Sequence, residues 1–493
     1  MSDFSALDVG LSGLEAQQIG MDTVGQNVAN ANTPGYDAEE VDLGAIGSVQ
    51  YAGYEGAQSL PGDGVAIEGI SRLTNSYLTA QSYIQQAAQG ALGAQQAGLQ
   101  AVQQEFPEPA GNGISSQLTQ FWQAWSSLAN NPSDSSAQST VVQDGATVAS
   151  SLNQTVTALA SVSGQTVQQI STTVASVNQQ VAQVASLNQQ ILQGNAGASA
   201  AGNGDVDSLE DQRDQLVSQL SNELGVSVSD NQDGTVNVYS GTEPMVSGVN
   251  YQTLSLSSSG PPYSLVWSND GTSYQPSSGS LSGMLDVVNS YVPGYQQQLD
   301  QVAQSLMGSV NYLMSQGYDQ AGNPGQPFFL GTGANDIAVN PALVANPADI
   351  GANAAPVAAG STASNEDGTI AAEVGELANS QTATLAVPTG GWPAGGSAAA
   401  WAGATQTTGP EADQAYNQLV TGIGQATASV NSQLSDQQTV TANVNSALQS
   451  ATGVNTDQEL TNMVMYQNAY DASAKFISTV DSVLQSLISM VNG

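Results

Sequence analysis

The apolar positions of the first thirty residues fall three and four apart: Phe4, Leu7, Leu11, Leu14, Gln18, Met21, Gly25 and Val28. That is a heptad seam, weakened at Gln18 and Gly25, and it predicts a terminal helix lying on a partner helix. Pro34 stops the helix, because it disfavours the α region at Thr33, and Gly35 permits a tight turn. The C-terminus mirrors this pattern. From Thr456 to Val491 there is neither proline nor glycine, and Asp457 and Glu459 favour a helix start through the helix dipole. One apolar row is Phe476, Val480, Val483, Leu487 and Met490; a second is Ile477, Leu484, Ile488 and Val491. Two adjoining rows exceed what one partner helix covers. If the N-terminal heptad is that partner, the surplus face is left for other subunits. The candidate assembly interface is therefore Leu7, Leu11, Leu14 and Met21 with Phe476, Val480, Leu484 and Leu487. A core within the single chain is the competing reading.

Between the termini, Gln/Ala/Ser/Val-rich stretches predict helices over about 75–105, 114–128, 136–194 and 205–222. In the third, Ile170, Val174, Val177, Val181, Val184, Leu187 and Ile191 step by three and four, as in one long amphipathic rod. After Gly225 the period changes to two. Val226 and Val228, then Val236 and Val238, flank Asp233-Gly234, which predicts a β-hairpin. Helix returns over 281–316 and 412–450. Residues 317–411 are Pro/Gly/Ala-rich, and 387–411 predict an exposed loop. The fold class expected is multidomain and mainly α with a β-rich insert. Residues 1–60 and 452–493 form a terminal coiled coil. Residues 61–222, 281–316 and 412–451 form a helical rod. Residues 223–280 form a distal β-rich domain, and 317–411 an irregular segment.

Charge narrows the function. The chain has 41 Asp plus Glu, three Lys plus Arg and no histidine, for a net charge of −38. Three scattered cations (Arg72, Arg213 and Lys475) do not neutralise phosphates, so neither nucleic acid nor an anionic membrane surface is an expected partner. Unperturbed carboxylates titrate near pH ~4, so in an acidic medium this chain sheds most of its charge while an ordinary protein becomes strongly cationic. An exposed protein of an acid-living organism fits this composition. With no cysteine there is no disulfide or thiolate site. MSDFSALDVGLSGL lacks the basic and continuous apolar parts of a cleavable signal. No catalytic constellation emerges, and no cofactor or metal set is expected. SDNQDGTVNVYS offers Ser229, Asn231, Asp233 and Gly234 at calcium-loop spacing, yet it fails at the first position and at the twelfth, where Ser240 stands in place of glutamate, so the hairpin reading is preferred. In DQRDQ, Arg213 lies beside Asp211 and Asp214; on a helix these read as solvated neighbours, with a specific structural ion pair of Arg213 as the alternative in a chain so poor in cations.

NVANANTPGY (27–36) resembles the N-terminal signature of the flagellar axial proteins, the family of rod, hook and hook-associated subunits. Asn30, Asn32, Pro34, Gly35 and Tyr36 carry the signature turn. Asp37 stands where common forms often have a basic residue. Five further segments are similar, in order, to the hook-associated protein 1 branch: ISSQLTQFWQAWSSLANNPSDSSAQSTVV (114–142), LEDQRDQLVSQLSNELGVSV (209–228), SGSLSGMLDVVNSYVPGYQQQLDQVAQSL (278–306), GNPGQPFF with IAVNPALVANP, and GVNTDQELTNMVMYQNAYDASAKFISTVDSVLQSLISMV (453–491). The likeness weakens at 351–411. It implies a structural, non-enzymatic subunit at the hook–filament junction, outside the cell, exported by the flagellar type III apparatus without a cleaved signal. It implies a ring of copies of this chain, contacts with hook protein and with the second junction protein, and a cytoplasmic export chaperone on the C-terminal helix. The alternatives are a hook or rod subunit, or a secreted acidic glycan-active enzyme or adhesin.

Overall fold

The computed structural model describes residues 3–46, 64–108, 113–197, 204–257, 260–356, 367–388, 392 and 404–491. Helix α1 (Asp3–Asn30) ends just before the predicted stop, and the chain turns through Gly35 at φ +82°. An antiparallel hairpin follows, β1 (Glu39–Ala45) with β2 (Val65–Arg72). Part of the terminal unit expected over 1–60, residues 47–60, lies outside the described residues.

Three helices then carry the length of the molecule. Helix α2 (Ser76–Gln104) leads away from the hairpin, α3 (Ile114–Asn130) turns at the far end, and α4 (Ser135–Gly197) returns. At 1.5 Å per residue, α4 is roughly 95 Å long. It delivers the chain back to the hairpin, where α5 (Gly204–Leu224) packs on both α2 and α4.

That return corrects the expectation of a distal β-rich domain. The turn at Asp233-Gly234 lies at the end of α4, where Asn195 donates to Asp233 O at 3.2 Å, on the side where Arg72 ends the first hairpin. β3 (Val226–Asp230), β4 (Val236–Ser240), β5 (Glu243–Ser247) and β6 (Asn250–Tyr251) form one antiparallel sheet in that order. β7 (Leu254–Leu256), β8 (Leu265–Trp267) and β9 (Ser273–Tyr274) form a second. Side-chain amides dock both sheets on the second half of α4. Asn188 donates to Val236 O at 2.8 Å and accepts from Val236 N–H at 3.2 Å. Asn178 holds Leu254 in the same way, at 2.7 and 2.8 Å. The two-residue period marks the strands; the expected distance overlooked that one continuous helix had already come home.

Helices α6 (Gly279–Asp286) and α7 (Val292–Met314) are one rod, joined by a π turn at Val287–Tyr291 ahead of Pro293. A proline in a helix lacks its N–H donor and clashes with the preceding turn, and a wider turn relieves this. The far core gathers aromatic residues. Phe121 lies 5.6 Å from both Phe328 and Phe329, and Trp125 lies 5.4 Å from Phe328.

Into this core comes much of the stretch expected to be irregular. β10 (Phe329–Leu330) pairs with β11 (Ala338–Val339), and α8 (Pro341–Ala345) and α9 (Thr369–Glu376) follow. β12 (Thr382–Pro388) then pairs with β13 (Ala404–Pro410), so the exposed loop expected over 387–411 is a strand for its last seven residues before Glu411. Ala383, Leu385 and Ala386 are buried against α7. The small residues that looked like loop composition allow close approach: a Cβ on Gly308 would already stand 3.1 Å from Leu385. Residues 357–366, 389–391 and 393–403 of this stretch lie outside the described residues. Helix α10 (Ala412–Thr452) then runs back along α2, and α11 (Thr456–Val491) lies on α1.

Candidate functional site

The α1–α11 pair is antiparallel, and glycines set its register. A Cβ on Gly10 would meet Ile477 at 2.5 Å, one on Gly13 would meet Ser473 at 3.1 Å, and one on Gly20 would meet the Tyr466 ring at 2.7 Å. The α11 seam is Glu459, Met463, Tyr466, Tyr470, Ser473, Ile477, Val480 and Leu484, all buried or half-buried and alternating four and three apart. Large residues on α11 thus face small ones on α1. Continuing this register sets Asp3 near Leu484, so 485–491 extend past the described part of α1. A long apolar surface is left open on α11. Leu460, Val464, Met465, Phe476, Val483 and Ile488 are each about half exposed, and Met490 is 72% exposed. Full burial from a fully exposed state is worth roughly 1.5–3 kcal/mol per such side chain, so the half-exposed ones have about half of that still to gain.

The joint below this pair is polar and buried. Asn27, fully buried on α1, accepts from Glu39 N–H at 3.0 Å, donates to Glu39 O at 2.9 Å and accepts from the Tyr36 hydroxyl at 2.9 Å. The turn between them closes with Thr33 N–H donating to Asn30 O at 2.8 Å. Ala38 N–H donates to Thr452 O at 2.8 Å, tying the turn to the end of α10. Arg72, at the end of β2 with its side chain 6% exposed, ties the hairpin to α5. It pairs with Asp211, with Asp214 at 2.9 Å and with Glu210 at 3.2 Å. Arg213 lies 3.3 Å from Asp214 and donates to Gly234 O at 2.8 Å, fixing the β3–β4 turn.

More carboxylates than cations share this joint. Burial, with Glu39 and Glu210 nearby, pushes Asp207 up to about 7. Burial pushes Asp211 up to about 6 despite Arg72. Burial also raises Asp37, Glu39 and Glu210. Among the described residues no cluster of three or more carboxylates has metal-binding geometry, and no helix is long and apolar enough to cross a membrane. The arrangement is one of docking faces and a buried, hydrogen-bonded joint.

Comparison with known proteins agrees with this geometry. Residues 99–329 match the family model described as the flagellar hook-associated protein FlgK helical domain. Residues 7–36 match that of the flagellar basal body rod protein, and 444–490 that of the rod FlgEFG protein C-terminal region. The chain is 27% identical to flagellar hook-associated protein 1 of Bacillus subtilis, over 99% of this chain and 98% of that one. It is 24% identical to the protein of the same name from Escherichia coli, over 99% of this chain and all of that one. The chain belongs to the FlgK family. The solved FlgK of Burkholderia pseudomallei shares its fold, with a TM-score of 0.59 at 17% identity over 75% of this chain and 100% of that one. The FlgK family consists of structural flagellar proteins.

Within this FlgK-family fold, the eight predicted interface residues divide. Leu7, Leu14, Met21, Val480 and Leu484 are half-buried along the helix pair. Leu11, Phe476 and Leu487 face solvent, at 51%, 45% and 40% exposed. Leu487 lies past the described start of α1, and Leu11 sits on the side of α1 away from the seam. Of the signature turn, Asn32, Pro34 and Gly35 are exposed, while Asn30 and Tyr36 are partly covered. Sequence reasoning passed over the glycine seam, although Gly10, Gly13 and Gly20 share a helix face. It also passed over Asn27, the first residue of the signature stretch and its anchor. The DQRDQ reading holds for Arg213, which is buried and pairs with Asp214, while Asp211 pairs instead with Arg72, 139 positions away.

Proposed function

We infer that the chain is a structural subunit joining the flagellar hook to the filament. One observation carries this reading: the uncovered apolar face of α11, beside an α1 that bears the axial-family signature. Such a face is a protein–protein surface in waiting. Neighbouring subunits in a tube would cover it, with Leu11, Phe476 and Leu487 buried between copies and the half-buried five bridging the two kinds of contact. A ring of copies would then sit on hook protein at one end and present the next junction protein with the other. Before assembly the same face invites aggregation, so an export chaperone on α11 is the expected cytoplasmic partner. Export through the hollow flagellum by the type III apparatus needs no cleaved signal. The match of 99–329 to the FlgK helical domain favours this over a hook or rod subunit. The test is a deletion strain viewed by electron microscopy, with its culture medium. Hooks without filaments, and flagellin lost to the medium, are expected. Missing hooks would make the chain a hook or rod subunit, and intact filaments would defeat the reading.

A further inference from the structure

The chain has three basic residues, and two of them are locked in the joint with side chains 5–6% exposed. Lys475 is the third. It lies on the outer face of α11, exposed, and pairs with no carboxylate among the described residues. Phe476 beside it rests against the Gly10 position and is still 45% exposed. The outer stripe of α1 has the opposite character. Asp8, Leu11, Glu15, Gln18 and Asp22 are all exposed at alternating steps of three and four, with Leu11 between two acids. One helix offers a cation next to an aromatic ring; the other offers an apolar side chain between two carboxylates.

The two features stand at the same height. Gly10 faces Ile477 and Gly13 faces Ser473, so Lys475 is level with Leu11. They do not meet within the chain. A copy displaced sideways, with little axial shift, would bring them together in a heterologous contact that repeats around a ring. Copies carrying a net charge of −38 repel one another, and a contact between acidic helices adds to that cost. The exposed cation has most effect where it separates carboxylates of two copies. We propose that Lys475 of one copy seats between Asp8 and Glu15 of the next, with Phe476 against Leu11. This rests on the reading that the terminal helices assemble with one another, and it names which faces meet.

The absence of cysteine makes a clean test possible. In the native host lacking the gene, two variants are co-expressed, one with Glu15→Cys and one with Lys475→Cys. Assembled junctions are treated with a short cysteine-specific cross-linker. A dimer of this chain is expected when both variants are present and is absent when either is alone. Glu40→Cys in place of Glu15→Cys should give none. In parallel, Lys475→Glu should lower the number of filament-bearing hooks at least tenfold, and adding Asp8→Lys and Glu15→Lys should restore it to within twofold. Circular dichroism should show all variants folded, since these side chains are exposed and make no ion pair among the described residues. Filaments on normal hooks with no cross-linked dimer would overturn the pairing while leaving the junction reading intact. So would a Lys475→Glu variant that assembles as wild type, or a cross-link to a different axial protein. Intact filaments in the deletion strain would overturn the junction reading itself.

Discussion

Glu411 caps α10 from a fully buried position, accepting from Asp413 N–H at 2.7 Å. Asp413 accepts from the Trp122 indole N–H, and close by the Tyr416 hydroxyl donates to Glu108 at 3.1 Å. Burial and the Asp413 charge push Glu411 up to about 8, so it carries a proton at neutral pH. Its folded value lies above the unfolded one. The stability it lends is complete below pH ~4 and is lost as pH rises through about 8. Glu411→Gln mimics the protonated form and keeps an oxygen for the Asp413 N–H. The variant should match the parent within about 1 kcal/mol at pH 6 and exceed it at pH 9, where the parent must bury a charge. Urea midpoints at the two pH values decide this; an equal loss at both would mean the carboxyl is needed ionised. Buried and half-buried amides do similar structural work without titrating. Asn27, Asn178, Asn188, Asn289 and Asn311 each bond both the N–H and the C=O of a single residue on a docked segment. Polarity that most proteins place in charges is carried here by neutral groups.

The helix pair α1–α11 depends on side chains that are missing. With a Cβ on Gly20 at 2.7 Å from the Tyr466 ring, Gly20→Val must push the helices apart and should cost about 1–3 kcal/mol. Gly25 has nothing within 4 Å of its would-be Cβ, so Gly25→Ala should be neutral or stabilise by up to ~1 kcal/mol. Limited proteolysis of α11 reads both: faster cleavage in the first variant, unchanged or slower in the second, with the distal core intact in each. Equal cleavage of the two would show that the glycines do not set the approach. Long elements were the most legible part of the chain, because a 3.6-residue period sustained over 136–194 or 456–491 has one reading. The hairpin at Asp233-Gly234 was legible from its turn chemistry. Three things were hidden for distinct physical reasons. A glycine gives no apolar signal, so the Gly10–Gly13–Gly20 face could not compete with the leucine row beside it. The placement of the β-rich sheets depends on the summed direction of α2 and α4, which no local pattern encodes. Arg72 and Asp211 lie 139 positions apart, and a carboxylate one or two residues away from Arg213 was the more visible candidate.

Across the whole molecule, buried carboxylates with raised values lie at both ends of the rod. At the joint Asp207 and Asp211 titrate near 7 and 6, and Asp37, Glu39 and Glu210 are raised by burial. At the far end stand Glu411 and Asp413. For each raised group, stability is complete below the unfolded pKa and is lost as pH climbs through the folded one. Turn aspartates pull the other way. Thr235 hydrogen bonds lower Asp233 and Thr272 hydrogen bonds lower Asp270, so their contribution is present above pH ~4 and lost beneath it. Together these place the stability maximum at roughly pH 4–5, more acidic than is usual. Thermal unfolding should show a Tm at pH 5 higher than at pH 8 by on the order of 5 °C. At pH 3 the near-ultraviolet signal should persist, because only three side-chain cations remain to repel one another. A Tm that is highest at pH 8 would contradict this. Arg72→Gln sharpens the test. At pH 8 it strands Glu210, Asp211 and Asp214 without their shared counter-charge, a loss of about 3–5 kcal/mol for a buried pair broken on one side. At pH 5 Asp211 holds its proton without that cation, so the loss should shrink. A joint whose carboxylates neutralise themselves in acid would hold the terminal helices to the rod most firmly in an acidic medium, the setting to which the chain's loss of basic residues is suited.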